Sequence, residues 1–326
     1  MDSKNILLIN FGGIGDEILF LPVVMSLKKE FPDSSITLVL EPRSAGVQYL
    51  TNKIDKYITV DIKKQNKYLE LLKFIFKTWF HHYDIVISSG SNKFIPILLF
   101  LTGIKVKIGY DSGNLSKKLL TYPIKLNKNQ YAVSMYHDLV MPLTENKTEL
   151  PVIDVVAKEK IPNSVLIHPG VSKISIRKGI IKTIQPETWA EIIRKLALEG
   201  KRVLLTGGPD DFDCIEEILR FCKGVEFENL YGKTKTLKEL AELISSAEKF
   251  VCSDSAPLHI AVALGVKTYA IFGPTDDKKL VPDSIIKLKA DDNCPLRPCL
   301  WEKRQTSCKN PVCLKFNSDK IVAKIL

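Results

Sequence analysis

The sequence predicts two α/β domains, each a doubly wound parallel sheet, joined by one linker around a cleft. Three observations carry that expectation. Short runs that are apolar on both faces alternate with amphipathic stretches, as strands do when helices cover both faces of a parallel sheet. The alternation occurs twice along the chain. The 326 residues suit two domains at ~100–200 residues each.

In the first half, strands are expected at Asn5–Asn10, Ser35–Leu40, Lys56–Asp61, Asp84–Ser88 and Val106–Tyr110, with helices such as Asp16–Glu30 and Tyr68–Phe80 between them. Pro32-Asp33 stops the first helix. In the second half, strands are expected at Ser164–Ile167, Arg202–Thr206, Glu226–Leu230, Lys249–Cys252 and Thr268–Phe272. Helices fit at Pro186–Glu199, Asp211–Cys222, Thr236–Ala247 and Ala256–Leu264. Pro142, Pro151 and Pro162 flank a polar stretch that reads as the linker. The expected domains are therefore 1–155 and 156–326, with a last helix that packs back on the first. Folds of this class bind ligands outside the carboxyl ends of their strands.

Composition narrows the function classes. The hydrophobic fraction is 45% and the charged fraction 26%, ordinary for a globular protein. The formal net charge of +10 comes from lysines spread along the chain. A nucleic-acid binder concentrates such charge in an arm or helix, so no nucleic-acid partner is expected. A diffuse excess suits an anionic substrate or membrane surface, or simply a lysine-rich proteome. The longest apolar run, Phe94–Ile104, contains Pro96 and falls short of the ~20 residues that span a bilayer. The N-terminus lacks a signal-peptide layout, so a cytoplasmic protein is expected. Lys67–His82 mixes Leu69, Leu72, Phe74, Ile75, Phe76, Trp79 and Phe80 with Lys67, Lys73 and Lys77. That pattern fits either a helix packed on the sheet or one lying on a membrane surface.

Four loops at strand ends carry the candidate chemistry. Phe11-Gly12-Gly13-Ile14-Gly15-Asp16 follows the first strand. Its glycines permit close backbone approach, and Asp16 is either a dipole-complementing residue or a general base. The spacing is not the G-x-G-x-x-G of a dinucleotide site, although Glu41 stands where a ribose-binding acid would. His168-Pro169-Gly170-Val171-Ser172 precedes Lys173, Arg177, Lys178 and Lys182, cations that suit a nucleoside diphosphate or a solvated loop. Thr206-Gly207-Gly208-Pro209-Asp210-Asp211 offers an acid for ribose hydroxyls or a helix cap. Cys252-Ser253-Asp254-Ser255-Ala256-Pro257-Leu258-His259 starts a helix whose free amides at Ser255 and Ala256 make an anion site, or merely a capped turn.

In this order the loops resemble those of the bacterial lipopolysaccharide heptosyltransferases, glycosyltransferase family 9, over nearly the whole chain. The matching features are Gly15-Asp16 with Leu21-Pro22, His168–Ser172 with Lys182 and Pro186, Asp254–His259, and Gly273-Pro274-Thr275-Asp276. The last two signatures are the most specific. The resemblance implies a GT-B fold with an N-terminal acceptor domain and a C-terminal nucleotide-sugar domain. It implies an inverting, metal-independent transfer of sugar, heptose from ADP-heptose, to a lipopolysaccharide core or related glycan. Asp16 would be the base, with Gly13, Gly15 and Lys93 on the acceptor side. Gly170, Val171, Ser172, Lys182, Asp210, Asp254, Ser255, Ala256 and His259 would hold the donor. The sequence departs from the family pattern at Ile184, in place of a tryptophan, at the extra Gln185, in the longer stretch from Ser172 to Lys182, and at Ser88-Ser89. Ile184 and the lengthened loop are where donor choice would differ. Another nucleotide sugar or a protein acceptor is the nearest alternative. An oxidoreductase using a nicotinamide cofactor, or a non-catalytic sugar-nucleotide binder, belongs to other classes.

No cofactor is expected for catalysis. Cys294, Cys299, Cys308 and Cys313 form a looser set than the usual zinc pairs and would hold structural zinc or iron, or pack unliganded. Cys214, Cys222 and Cys252 read as core thiols.

Overall fold

The computed structural model describes residues 3–157, 159–171, 173–177, 179–290, 294–300, 308 and 310–326. The chain divides into two compact units, Met1–Asp154 and Val155–Leu326.

The first unit runs β1 (Asn5–Ile9), α1 (Ile14–Glu30), β2 (Ser35–Leu40), β3 (Lys56–Thr59), α2 (Lys67–Trp79), β4 (Ile85–Ser88), α3 (Ile95–Leu101), β5 (Val106–Tyr110), α4 (Asn114–Leu119), β6 (Tyr122–Ile124) and α5 (Ala132–His137). Its six strands lie in the order β3-β2-β1-β4-β5-β6, every pair parallel. Ile6, Leu7, Leu8 and Ile9 have no exposed surface, because β1 is central and covered on both faces. Leu7, Ile9, Val39 and Val86 pack on one face with Leu71, Phe74 and Ile75 of α2 and Leu98 and Leu99 of α3.

The second unit runs β7 (Ile161–His168), α6 (Lys173–Arg177), α7 (Pro186–Leu198), β8 (Arg202–Leu205), α8 (Phe212–Phe221), β9 (Glu228–Asn229), α9 (Leu237–Ser246), β10 (Ala247–Ser253), α10 (Ala256–Ala263), β11 (Lys267–Ile271), α11 (Asp277–Leu280), β12 (Ile286–Leu288) and α12 (Ser318–Ile325). The order β12-β11-β10-β7-β8-β9, again parallel, is the same topology as in the first unit. In each sheet the strand order reverses beside the first strand, between β1 and β4 and between β7 and β10. Such switch points open a crevice at the strand carboxyl ends.

Local signals explain the helix limits. Pro186 opens α7 at a position where its missing N–H costs nothing. The Thr236 hydroxyl caps α9 by accepting from the Glu239 N–H at 3.1 Å. Asn317 caps α12 in the same way.

Most sequence-based elements lie within one to three residues of those observed. The sequence reading missed β6 and β12, edge strands of three residues each. β6 contains Pro123, which only an edge tolerates. The last helix is anchored in the core of its own unit. Ile321, Val322 and Ile325 of α12 belong to the second unit's own core, and Lys195 of α7 pairs with Asp319 at 2.6 Å. Among the described residues no helix is long and apolar enough to cross a membrane.

Candidate active site

In the first unit the site grows from the turn between β1 and α1. Asp16 sits in the first turn of α1, and its Oδ2 accepts from the Gly13 N–H at 2.8 Å. This satisfies one orphan donor of the helix start and fixes the carboxylate's direction. A Cβ on Gly12 would come within 2.3 Å of the Asp16 Cβ, so only glycine admits the acid there. Asn10 braces the turn from below. Its amide donates to the Asp16 carbonyl at 3.3 Å and its Oδ1 accepts from the Ser89 hydroxyl at 2.7 Å. Asp16 remains partly exposed, whereas Glu17 beside it is fully buried. Burial, and next the charge of Asp16, holds the Glu17 carboxyl well above the usual carboxylate range. Burial and Asp16 also push the Tyr136 hydroxyl upward.

Gly13 and Gly15 lie in the same turn, both partly exposed. Arg43 borders Gly13, its guanidinium 3.8 Å from where a Cβ would stand. Lys93 is exposed in the loop that follows β4, the strand next to β1. Glu41 is 3% exposed and already paired with Arg43 at 2.6 Å and Lys63 at 2.8 Å. A carboxylate so occupied is poorly placed to receive a ribose, which weakens the dinucleotide reading.

The second unit gathers its candidates at the carboxyl ends of β7 and β10. Lys182 Nζ lies 3.1 Å from Asp254 Oδ2, with the lysine side chain 21% exposed and the acid 3%. Asp254 leads directly into Ser255, the N-cap of α10, and Ala256. Ser255 makes no side-chain cap, so the helix's first amides face outward from two small, partly exposed residues. His259, four residues into this segment, is 5% exposed.

A hydrogen-bonded knot places Lys182. The Thr183 hydroxyl donates to the Pro169 carbonyl at 2.6 Å and accepts from the Trp189 indole N–H at 3.0 Å. Ser253 Oγ lies 2.9 Å from Thr183 Oγ1 and 2.8 Å from the same carbonyl. Three loops are thus tied together at one point, and Lys182 is the cation adjoining it.

The structure separates Asp210 from Asp211. Asp211 is 7% exposed, accepts from the Gly208 N–H at 2.8 Å and lies 3.5 Å from His168 Nε2. Burial pushes the His168 imidazole below its ordinary range, against the opposing pull of Asp211. A Cβ on Gly170 would stand 1.7 Å from Asp211 Oδ1, which accounts for that glycine. Asp210, the sequence candidate, is exposed at the tip of the turn. Val171 is buried, and Ser172 lies outside the described residues, as does Lys178.

Ile184 is 2% exposed within the second unit's core, so its difference from a tryptophan is a change of packing in that core. Asp276 caps α11 by accepting from the Lys278 N–H at 3.1 Å. Cys294, Cys299, Cys308 and Cys313 line one small pocket with Pro274, Pro311 and Leu314. Burial, and next the neighbouring thiols, raises the Cys313 thiol. Among the described residues these cysteines do not close into a ligand set for a metal ion.

Sequence reasoning missed Asn10, Arg43, Tyr136 and Thr183, and read Ser253 only as part of the loop that starts α10. Asn10, Tyr136 and Thr183 meet partners distant in sequence, Ser89, Phe20 and Ser253, while Arg43 pairs with Glu41 two residues away and borders Gly13 only through the fold. Trp189 of α7 is also a partner in the knot.

Known proteins place this arrangement. The chain is 28% identical over 279 residues to a lipopolysaccharide heptosyltransferase 3 of Escherichia coli, covering 80% of this chain and 81% of that protein. A family 9 glycosyltransferase from Veillonella parvula shares the fold at a TM-score of 0.79 and 19% identity, covering 99% and 96% of the two chains. The ADP-heptose lipopolysaccharide heptosyltransferase II of Escherichia coli does so at 0.75 and 17%, covering 99% and 97%. Residues 77–293 match the family described as glycosyltransferase family 9 (heptosyltransferase), and the chain, a two-sheet GT-B glycosyltransferase, belongs to that family.

Proposed function

We propose that this protein is an inverting heptosyltransferase that moves heptose from ADP-heptose onto a lipopolysaccharide core or a related surface glycan. The observation that carries the reading is the Lys182–Asp254 pair at the open start of α10, beside the β7/β10 switch point. A cation, outward amides and an acid for sugar hydroxyls stand together there, as a nucleoside-diphosphate sugar requires. The names of the relatives supply the sugar.

In this reading residues 1–155 bind the acceptor and 156–326 the donor. Asp16 takes the proton from an acceptor hydroxyl as that oxygen bonds to the anomeric carbon from the face opposite the leaving group. The bond from the anomeric carbon to the phosphate oxygen breaks, and ADP leaves with the electron pair. Lys182 and the amides of Ser255 and Ala256 stabilise the charge that develops on the diphosphate. Asp254, released from Lys182 by the phosphates, accepts hydroxyls of the heptose, and Asp210 accepts from the ribose. Gly13, Gly15 and Lys93 border the acceptor, and Gly170, Val171, Ser172 and His259 border the donor. The residues named supply base and counter-charge without assistance from a cofactor. An acceptor built on a lipid anchor places the enzyme at the cytoplasmic face of the inner membrane.

Thermal unfolding with ADP-heptose and with UDP- and GDP-sugars tests the donor. A ligand at 100 times its Kd adds about 2.7 kcal/mol to folded-state stability. Protection by ADP-heptose is expected. Protection by UDP- or GDP-sugars without it would overturn the donor assignment.

A further inference from the structure

Helix α2 carries one apolar face more than its fold uses. At about 100° per residue, Leu71, Phe74, Ile75 and Thr78 occupy one arc of roughly 100°. These four are buried against the first sheet. Glu70, Lys73 and Lys77 occupy a second arc. Tyr68, Leu69, Leu72, Phe76, Trp79 and the following Phe80 fill a third arc of about 120°. All six are at least 50% exposed, with Phe80 at 71%. The sequence pattern of this segment thus divides: Phe74 and Ile75 serve the core, and the remaining aromatics do not.

The exposed arc is ordered and not a scatter of stray side chains. Phe76 packs against Trp79 and Phe80 at centroid distances of 5.8 and 5.0 Å. The Trp79 indole N–H donates to the Leu101 carbonyl at 2.9 Å, which fixes the ring at the end of α3. Phe100 and Leu101, also exposed, extend the apolar surface from there. Lysines fringe it: Lys67 lies over the Tyr68 ring at 5.1 Å, and Lys73, Lys77 and Lys105 are exposed. Lys67, Lys77 and Lys105 form no ion pair among the described residues. A patch this size calls for an occupant.

We propose that this face is a membrane-seating surface, with the α2 aromatics entering the headgroup region of an anionic leaflet and the lysines meeting its charge. Charge complementarity selects the bilayer over a protein partner. Protein interface cores are depleted of lysine, whereas interfacial helices set lysines beside aromatic rings. The net charge of +10 favours the same partner at long range. The proposal rests on the glycolipid-acceptor reading only for its purpose. Binding to a lipid surface requires neither donor nor acceptor, so the two can fail separately.

Flotation of the full chain with vesicles of phosphatidylglycerol and phosphatidylcholine tests it, beside vesicles of phosphatidylcholine alone. At low salt the protein floats with the anionic vesicles, and partition falls at least about tenfold for Leu72→Ser/Phe76→Ser. Lys73→Glu/Lys77→Glu weakens binding and reduces its salt dependence. Thermal unfolding of both variants stays close to the parent, since these side chains touch no core. Activity toward a soluble acceptor fragment is unchanged in the Leu72→Ser/Phe76→Ser variant. Absence of co-flotation by the parent at low salt overturns the proposal. Equal flotation of the apolar variant does so too, as does a concentration-dependent dimer that this variant dissolves.

Discussion

The turns Gly13-Ile14-Gly15-Asp16 and Gly208-Pro209-Asp210-Asp211 are built alike, one in each unit. In both, a glycine N–H donates to the aspartate three residues on, at 2.8 Å. In both, the preceding glycine leaves room for that aspartate, with a Cβ at 2.3 Å on Gly12 and 3.1 Å on Gly207. What differs is the surroundings. Asp211 is closed in by His168 and Gly170, while Asp16 keeps an open side next to a buried Glu17 whose carboxyl burial holds well above the usual carboxylate range. The same local motif is structural where the fold covers it and available for chemistry where the fold leaves it open.

A large effect is also expected on the donor side. Lys182→Ala should lower kcat/KM by about 10²-fold, the scale of removing one preorganised donor at a developing anion. Titration of ADP and ADP-heptose against Lys182→Ala and Lys178→Ala checks it. Greater damage from the Lys178 variant would move the phosphate contact away from the knot at Thr183.

Stability should separate the two aspartates in the opposite sense. Asp211→Ala leaves the Gly208 N–H and His168 without their partner in a buried place and should cost about 2–3 kcal/mol. Asp16→Ala removes a cap at a partly exposed turn and should cost about 1 kcal/mol. Urea unfolding of both variants gives the comparison directly. Equal losses would mean that the two turns are equally structural.

A smaller effect depends on pH. Below the unfolded pKa of Glu17, near 4.5, folded and unfolded chains both hold its proton. As pH rises, the unfolded chain releases the proton first, so stability falls until the raised folded pKa is passed. Glu17→Gln should therefore be no more stable than the parent near pH ~4.5 and more stable near pH ~8. A constant difference in unfolding midpoint across that range would contradict a protonated Glu17.

Much of the fold was legible because fully buried parallel strands appear as continuous apolar runs, as Ile6–Ile9 and Val203–Leu205 do. Edge strands β6 and β12 were not, since three residues with one covered side leave no run to read. The candidate loops were legible because glycines and helix starts punctuate strand ends. Their interior wiring was not. Ser253 meets Thr183, and Asn10 meets Ser89, only because β10 lies beside β7 and β4 beside β1, a reversal that chain order does not announce. The choice between Asp210 and Asp211 was hidden for the same reason, as Asp211 is decided by His168 across the sheet. In α2, periodicity alone did not distinguish Phe74 from Phe76, because both faces of that helix are apolar.

In the proposed mechanism Asp16 is the base, held by its turn but left open for an acceptor hydroxyl. Asp16→Asn keeps an oxygen to accept from the Gly13 N–H while removing the carboxylate that would take a proton. The direct test measures heptose transfer from ADP-heptose and, on the same preparation, ADP-heptose affinity. The expected result is a loss of turnover of ~10²-fold or more with donor affinity near that of the parent. Near-normal turnover in the Asn variant would contradict the account.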